Sequence, residues 1–533
     1  MSLAPDVVLL AAQVHTLDPD RPHATAVAVR DGLITAVGDA ADARDWRGPA
    51  TEVIDLGDAT LLPGLVDGHS HPAFGLDLAR GVDLSQVRDL DGLRTALASA
   101  GRIDGWVLGW GLDHNVFAGR AIHREHLEAA LGPDTPAFVR LYDGHSALVS
   151  GAALRAAAVT GPRSFAERST VVCDSEGSPT GHLIEMAAMD LVLAVTPRQP
   201  LAERRDALHG LLSEMAATGL TGAHVMDAGG DSVELLRAVE ERYELPLRLR
   251  LAPWCNPGTD RDGLDELAAQ QGTAGRNWLV GGVKFFMDGT VEGGSAWLEH
   301  PDCHGQNRDA LWLDPADYTA AVQHLHAAGV RTATHAIGDA GVRHVLDTLA
   351  TLGPDARMGH RIEHIETLSY EQALRFAELG VIASMQPTHS GYTRADHTDE
   401  WSLRLGTERA NRAWICRTLR DTGAILALGS DWPIADFDAR HVLAHAQLRR
   451  PARTAITPVA PEQALTALMA LEGLTTHAAL AAGESTRTGR ITPGLRADLT
   501  AYTLDPLTTP ADELAETPVP LTISNGRITH RLA

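Results

Sequence analysis

The chain has 533 residues, 44% of them hydrophobic, which is enough to build a core for one large domain and a smaller one. The formal net charge is −24 at pH 7 and no run of five basic residues occurs, so nucleic acids and membrane surfaces are poor candidate partners. The sequence has neither a leader-like N-terminus nor 18 uninterrupted apolar residues, which predicts a cytoplasmic protein that acts on small molecules.

Short β-like runs at both ends of the chain predict one small composite domain. Near the N-terminus, Asp31 and Gly32 separate two alternating runs, which is a strong signal for a β-hairpin. Near the C-terminus, Asn525 and Gly526 follow a similar run. We therefore expect a β-sandwich built from residues 1–60 and 485–533.

Between these ends, short apolar strands alternate with helical stretches rich in alanine and leucine, a pattern typical of βα units. Eight candidate strands follow one another at 61–67, 220–226, 247–253, 280–286, 330–335, 361–364, 381–386 and 425–430. They predict an α/β fold, a distorted (β/α)8 TIM barrel over residues 61–484, with its site at the carboxyl ends of the strands. The interval after the first strand is too long for one crossover, so we expect an insertion at about residues 75–210 that covers the site.

Histidines and one acid gather where the predicted strands end. The first strand ends with His69 and His71, and because alternate side chains of a strand point to the same side, these two can hold one metal ion. Later strands end at His335, His364 and Asp431. The carboxyl ends of parallel strands meet in a barrel, so we expect all five side chains in one site.

Lys284 is the only lysine of the chain, and it lies at the end of the predicted fourth strand. A buried lysine can lose its proton and act as a nucleophile or take a covalent group, whereas the guanidinium of arginine stays charged. We therefore expect Lys284 to have a chemical role in the same site.

An ordered series of motifs runs along almost the whole chain. The series is Leu62-Pro-Gly-Leu-Val-Asp-Gly-His-Ser-His71, Val283-Lys-Phe-Phe-Met-Asp-Gly289, Thr334-His-Ala-Ile-Gly-Asp339, Arg361-Ile-Glu-His364, Gln386-Pro387, Leu405-Gly406 with Arg412, Gly429-Ser-Asp-Trp-Pro433 and Pro493-Gly-Leu-Arg-Ala-Asp-Leu499. In this order the motifs resemble the amidohydrolase superfamily, which are metal-dependent hydrolases on a distorted α/β barrel with a small β-sandwich. The closer likeness is to the branch that contains N-substituted formamide deformylase and the YtcJ-like proteins.

The resemblance implies six metal ligands: His69, His71, Lys284, His335, His364 and Asp431. By that likeness the first two histidines and Asp431 hold one divalent ion, the other two histidines hold a second, and Lys284, carboxylated by carbon dioxide, bridges them. Zinc is the metal expected from the ligand types and the likeness. Asp431 is also the expected catalytic residue, since it would take a proton from a metal-activated hydroxide and pass it to the leaving amine.

The implied reaction is hydrolysis of a C–N bond in a small amide, N-formyl compound or cyclic amide. A homodimer is the expected assembly. One alternative is a mononuclear deaminase of the same superfamily, which would need no bridging lysine. A second is a lyase in which the lysine amine forms a Schiff base, but the histidines and Asp431 would then have no purpose.

Five further residues are candidates for substrate binding. Trp110, His114 and His145 fall in the predicted insertion, where they can line the pocket. His224 lies near the end of the second strand and Asp288 follows Lys284 closely. For each of these a purely structural role is the competing interpretation.

Overall fold

The structure is a computed structural model that describes residues 4–353 and 359–532. The first twelve strands are β1 (Val7–His15), β2 (His23–Arg30), β3 (Leu33–Gly38), β4 (Glu52–Asp55), β5 (Thr60–Pro63), β6 (Leu65–Ser70), β7 (Val82–Asp83), β8 (Val107–Leu112), β9 (Ala137–Leu141), β10 (Ser146–Val149), β11 (Thr170–Cys173) and β12 (Pro179–Ile184). The remaining strands are β13 (Leu220–Val225), β14 (Arg248–Leu251), β15 (Trp278–Val280), β16 (Val283–Phe286), β17 (Thr332–Ala336), β18 (Arg361–His364), β19 (Ile382–Met385), β20 (Leu426–Leu428), β21 (Leu499–Tyr502), β22 (Leu521–Ser524) and β23 (Arg527–Arg531).

Helices alternate with these strands through most of the chain. The first ten are α1 (Asp42–Trp46), α2 (Pro72–Leu78), α3 (Leu90–Ala98), α4 (Glu125–Leu131), α5 (Gly151–Ala156), α6 (Met186–Leu193), α7 (Leu201–Ala217), α8 (Ser232–Arg242), α9 (Arg261–Ala269) and α10 (Pro315–Ala327). The others are α11 (Asp339–Ala350), α12 (Tyr370–Leu379), α13 (Glu400–Leu405), α14 (Thr407–Ala410), α15 (Cys416–Asp421), α16 (Ala439–Leu448), α17 (Ala467–Gly473), α18 (Thr476–Ala482) and α19 (Ala511–Leu514). Across the described ranges, none of the helices combines the length and the apolar character that crossing a membrane requires.

Strands from both ends of the chain share one eight-stranded sheet. Its order is β23-β22-β21-β5-β1-β2-β3, and β4 pairs with β1 as a branch. The predicted hairpin is present, since β2 and β3 are antiparallel and Arg30 pairs with Leu33. Leu9, Leu61 and Leu499 are fully buried in the apolar cluster of this sheet, and their burial holds the two chain ends together. The exact bounds of the composite domain stay a prediction.

A second sheet occupies the segment where the insertion was predicted. Its six strands have the order β11-β12-β10-β9-β8-β7. One apolar cluster includes Leu93, Val139 and Leu148, and another includes Phe138 and Met189. Because consecutive residues of β9 contribute to different clusters, both faces of this sheet are buried.

The central part of the chain is an α/β arrangement of parallel strands. One sheet has the order β15-β14-β13-β6 and the other has the order β16-β17-β18-β19-β20. All eight predicted strands are present, but the first is divided into β5 of the terminal sheet and β6, and the fourth into β15 and β16 at Gly281 and Gly282. Gly282 has a φ of +121°, a conformation that other residues avoid, so the chain turns there from one sheet to the next.

The neighbouring edges of the two parallel sheets approach each other. At one edge the backbone N–H of Lys284 donates to the carbonyl of Pro253 over 2.8 Å. The backbone N–H of Cys255 in turn donates to the backbone carbonyl of Lys284 over 2.8 Å. At the other edge the backbone N–H of Asp431 donates to the backbone carbonyl of His69 over 2.8 Å. These contacts bring the carboxyl ends of strands from both sheets around one central space.

Candidate metal centre and pocket

Five of the six predicted metal ligands converge at the carboxyl ends of the parallel strands. Nε2 of His69 lies 3.3 Å from Oδ1 of Asp431 and 3.4 Å from Nζ of Lys284. Nε2 of His71 lies 3.0 Å from the same Asp431 oxygen. Ligand atoms of His69, His364 and Asp431 all lie within 4.8 Å of one another, close enough for these three side chains to hold one ion.

The chemical state of these side chains fits a divalent metal. Burial lowers the pKa of His69 to about 4 and that of His364 well below its usual value, so both imidazoles are neutral. Burial opposes ionisation of Asp431, but His69 and His71 outweigh it and hold the pKa of this carboxyl below its usual range. Asp431 Oδ1 is buried and makes no hydrogen bond of good geometry within the described part of the chain. Neutral nitrogens around such an oxygen are suitable ligands for zinc.

His71 has a different charge balance from its neighbours. Burial lowers its pKa, but contacts with Asp227 and Asp431 outweigh this and raise it to about 9. Its Nδ1 lies 3.7 Å from Oδ2 of Asp227. Asp227 and Asp431 therefore surround the His71 imidazole with negative charge. The same negative charge would favour a cation bound beside this side chain.

Two of the converging residues have a left-handed backbone. His364 has a φ of +73° and Asp431 has a φ of +60°. Such conformations cost about 1–3 kcal/mol for residues other than glycine. The turn at His364 also interrupts the alternation of β18, so Glu363 and His364 both reach the central space. Regular strand alternation would turn one of these two side chains away from the centre.

Buried partners fix the orientation of the imidazoles. Oε2 of Glu363 lies 2.6 Å from Nδ1 of His69, and Arg361 donates to the same carboxylate oxygen over 2.9 Å. Oε1 of Gln386 lies 2.9 Å from Nδ1 of His364. With its Nδ1 occupied in this way, the Nε2 of His69 is left free to face the centre.

Lys284 is fully buried on β16. Burial lowers the pKa of its amine to about 8, although Glu363 and Asp431 oppose the shift. Its ammonium nitrogen lies 5.1 Å from the ring centre of Phe286 and 3.4 Å from Nε2 of His69. The structure therefore places the only lysine of the chain at the centre of the site.

His335 is the predicted ligand that stands apart from the others. Its Nε2 lies 3.1 Å from the carbonyl oxygen of Gly289, although its ring centre is only 4.5 Å from that of His364. The group that can hold one ion combines His69 and Asp431 from the first predicted ion with His364 from the second. The expected division into two ligand sets is therefore not visible in the positions of these side chains.

A pocket opens above the centre and has both apolar and acidic walls. The apolar and aromatic lining residues are Phe74, Leu78, Tyr142, Met186, Trp254, Phe286, Ile337, Tyr392, Trp414 and Ile434. Asp143, Glu292 and Glu366 contribute carboxyl groups to the same lining. The hydroxyl of Tyr142 donates to Oε1 of Glu292, and Nε1 of Trp401 donates to Glu366 over 2.7 Å. The pocket therefore suits an apolar group that carries hydrogen-bond donors.

Two of the five candidate substrate-binding residues lie at or beside this pocket. His145 is part of its lining, and its Nδ1 lies 2.8 Å from Oε2 of Glu185. Asp288 is fully buried beneath the pocket wall and accepts backbone hydrogen bonds from Trp297, Ile337 and Gly338 over 2.8–3.0 Å. Asp288 thus orders the loops beside the site, and its Oδ1 lies 3.8 Å from Nε2 of His335 in the pocket lining.

The other three candidates do not line the pocket. Trp110 lies in β8, where it pairs with Asp83 of the inserted sheet. His114 is buried behind Tyr142, with 5.8 Å between the ring centres. His224 lies deeper among the strands, and its Nδ1 accepts a hydrogen bond from Arg361 over 2.8 Å. The structure thus places these three side chains outside the pocket lining, and their role in substrate binding stays a prediction.

Sequence reasoning missed other pocket residues. His389 lies in a 3-10 helix, Pro387–Tyr392, and its Nε2 is 3.6 Å from Oδ2 of Asp431. The motif at Gln386 and Pro387 pointed to this segment, and a histidine two positions further on was a usable signal. No comparable signal marked Glu292, which follows a glycine-rich loop and has no periodic pattern around it.

Comparison with known proteins places this chain in a family. Residues 52–530 match a model described as the amidohydrolase family. The chain is 29% identical over 520 residues to the protein LONG AFTER FAR-RED 3 of Arabidopsis thaliana, covering 92% of this chain and 86% of that one. It is 26% identical over 529 residues to the putative amidohydrolase YtcJ of Bacillus subtilis, covering 97% and 98%. It is 24% identical over 540 residues to N-substituted formamide deformylase of Arthrobacter pascens, covering 98% and 97%.

Solved structures share the fold. An uncharacterized metal-dependent hydrolase from Pyrococcus horikoshii has a TM-score of 0.73 at 21% identity, covering 95% of this chain and 99% of that one. An adenosine deaminase from Xanthomonas campestris with bound zinc has a TM-score of 0.54 at 17% identity, covering 98% and 93%. The family match extends over most of the chain and confirms the resemblance drawn from the motifs. The chain therefore belongs to the amidohydrolase family.

Proposed function

We propose that this protein hydrolyses the C–N bond of an N-substituted amide or N-formyl amine with the help of bound divalent metal, with zinc as the expected ion. The observation that carries the proposal is the convergence of His69, His364 and Asp431 on one point beside buried Lys284. The two parallel sheets would together form the distorted barrel that supports this centre. The likeness to N-substituted formamide deformylase supports the choice of substrate class.

Asp431 is the group placed to move a proton. When bound, a divalent ion lowers the pKa of a neighbouring water and polarises a carbonyl group. Oδ1 of Asp431 faces His69 and His71, while Oδ2 lies on the side of His389. We infer that the Asp431 carboxylate takes a proton from the attacking water and delivers it to the leaving nitrogen.

Lys284 would complete the centre as a carbamate. Its neutral amine would add to carbon dioxide and lose one proton, forming an N–C bond and an anionic group with two oxygen ligands. The 3.4 Å between its Nζ and Nε2 of His69 supports a role of such a group among the ligands. A second ion, held with the help of His335, belongs to this proposal.

The pocket supports an apolar substituent on the substrate nitrogen. Trp254, Phe286 and Trp414 offer aromatic surface next to the centre. Glu292 and Asp143 lie on the same wall and can accept hydrogen bonds from N–H groups of the substrate. A small amide or formamide with an aromatic or aliphatic N-substituent fits these walls.

The proposal is tested by assaying purified protein against N-formyl, N-acyl and cyclic amide compounds. Each assay is run after chelation and again after zinc is added back. Metal-dependent release of the amine from at least one class supports the proposal. Full activity in chelated protein, or no activity on any class with metal bound, contradicts it.

A mononuclear deaminase is the second candidate. It is favoured because, among residues 4–353 and 359–532, one group of three side chains (His69, His364 and Asp431) can hold a single ion. Ammonia release from aminopurines or aminopyrimidines, with a stoichiometry of one metal per chain, would favour this alternative. Amine release from formamides with Lys284-dependent metal binding would exclude it.

A further inference from the structure

A second cavity lies at the opposite end of the parallel strands from the metal centre. It has a volume of about 280 Å³ and lies between β13–β15 and the segment that follows α18. Its charged lining residues are five arginines and one glutamate: Arg248, Arg250, Arg276, Arg487, Arg496 and Glu484. Such an excess of positive charge is unexpected in a chain with a net charge of −24.

The acidic groups nearby do not neutralise this cluster. Asp498 accepts from Arg248 over 2.6 Å, and Glu484 accepts from Arg496 over 2.8 Å. Glu484 approaches Arg250 only to 3.7 Å. Within residues 4–353 and 359–532, the Arg250 side chain makes no hydrogen bond to the protein, so its donors are available to a ligand.

A smaller cavity continues from the first one and adds another cation. Arg250, Arg331 and His224 all line it. A Cβ atom at Gly483 would lie 1.6 Å from Nη1 of Arg331, so the absence of a side chain at Gly483 makes room for this guanidinium group. The Arg331 side chain, like that of Arg250, has no hydrogen bond to a protein acceptor in the described ranges.

The cations lie close enough to disturb one another. Burial lowers the pKa of Arg250 to about 10, and the charges of Arg331 and Arg361 act in the same direction against the attraction of Glu484. Burial also lowers the pKa of Arg331. An anion between these side chains would relieve both the lost hydration and the mutual repulsion.

We propose that this cavity binds a small phosphate-class oxyanion against Arg250 and Arg487, with Arg331 adding positive charge from the smaller cavity that Arg250 also lines. Guanidinium groups present paired N–H donors whose spacing matches the oxygens of a phosphate group. The volume accepts a free phosphate ion or the phosphate group of a small ester. None of these three arginines belongs to the metal centre, so the site is separate from the proposed hydrolytic activity.

The test is calorimetric titration of the purified, metal-containing protein with inorganic phosphate. Wild type is compared with Arg250→Gln and Arg487→Gln, and with Arg94→Gln as a control on the exposed side of α3. Loss of a hydrogen bond to a charged group typically costs enough to weaken binding about tenfold or more. We expect saturable binding that is about tenfold weaker in both cavity variants and unchanged in the control.

Several results would overturn the proposal. One is the absence of saturable binding by wild type. Another is binding that both cavity variants retain at full strength, which would place the phosphate elsewhere, including at the metal centre. Arg487 is exposed, so Arg487→Gln keeps the test decisive if Arg250→Gln fails to fold. A parallel titration with a sugar phosphate distinguishes a free ion from an ester, and cavity-dependent binding of either supports the site.

Discussion

Two buried carboxylates, Asp431 at the carboxyl ends of the parallel strands and Asp498 at their amino ends, have opposite surroundings. At the carboxyl ends, Asp431 Oδ1 lies close to His69 and His71 without a hydrogen bond of good geometry. At the amino ends, Asp498 accepts a 2.6 Å hydrogen bond from Arg248 and stabilises the junction with the terminal sheet. The first arrangement is suited to a ligand, while the second is complete within the protein. Burial alone therefore does not mark a functional group.

The largest effect is expected for Lys284→Ala at the carboxyl end. Removal of the proposed bridging ligand should reduce bound metal and lower kcat/KM by about 1000-fold or more, since metal assistance lowers the barrier by several kcal/mol. Elemental analysis and amine release measure the two effects. A short carboxylic acid added to the variant should restore part of both. Unchanged metal content and activity would remove Lys284 from the centre.

At the other end, Asp498→Asn should destabilise the fold without changing the metal site. Breaking this buried ion pair should cost about 3 kcal/mol because Arg248 would lose its hydrogen-bonded counterion. Denaturant unfolding measures the loss. Asp512→Asn is the matched control, since Asp512 pairs with Arg450 near the surface and should cost less than about 1 kcal/mol. Equal losses for the two variants would show that burial adds nothing to the stabilisation by the Asp498–Arg248 pair.

The pair of Asp498 and Arg248 also predicts a dependence of stability on pH. Burial raises the pKa of Asp498, but Arg248 outweighs it, so the carboxyl has a pKa below its usual value. The Asp498 carboxylate therefore contributes fully to the stability of the fold above about pH 4, the pKa of an unfolded aspartate. This stabilisation is lost as the pH falls through the lower pKa of the folded state. The stability difference between wild type and Asp498→Asn should be constant from neutral pH to about 5 and shrink below about 4. A difference that persists at the acid end would assign the loss to packing.

Glu363→Gln should have a smaller effect at the carboxyl end. This carboxylate orients His69 from 2.6 Å, and loss of such a partner typically costs about 10- to 100-fold in metal affinity. Zinc affinity is measured by competition with a chelator of known strength. Glu371→Gln, at an exposed position of α12, is the matched control and should leave the affinity unchanged. Wild-type affinity in Glu363→Gln would show that His69 keeps its orientation without this partner.

The smallest effect is expected for Tyr142→Phe in the pocket wall. The Tyr142 hydroxyl donates to Glu292, so its loss should alter substrate binding rather than the chemical step. We expect KM to change by up to about tenfold with little change in kcat, as for one hydrogen bond. Tyr370→Phe, with Tyr370 62% exposed, serves as the control. A large fall in kcat with unchanged KM would instead place Tyr142 in the chemical step.

Sequence predicted those features that local patterns encode. The strand ends at His69, His335 and His364 follow from short apolar runs, and parallel strands bring their carboxyl ends together. The solitary Lys284 pointed to the centre because its chemistry cannot be supplied by arginine. The parallel arrangement and the sheet shared by both chain ends were also predictable, because local sequence patterns encode their strands and turns.

Long-range packing was not predictable in this way. The left-handed backbone at His364 turns Glu363 towards His69, although strand alternation predicted the opposite. His224 was expected at the pocket, but it bonds Arg361 deeper in the structure. Each of these outcomes depends on a partner more than a hundred residues away, which a single sequence does not reveal.

The most direct test of the account is a metal titration of chelated protein, followed by hydrolysis of an N-substituted formamide. We expect amine release to be absent without metal, to rise with added zinc and to saturate at a fixed number of ions per chain. The same titration of Lys284→Ala should give little activity at any zinc concentration. Amine release by metal-free wild type, at the rate of the zinc-loaded protein, would contradict the central claim that this site is a metal-dependent hydrolytic centre.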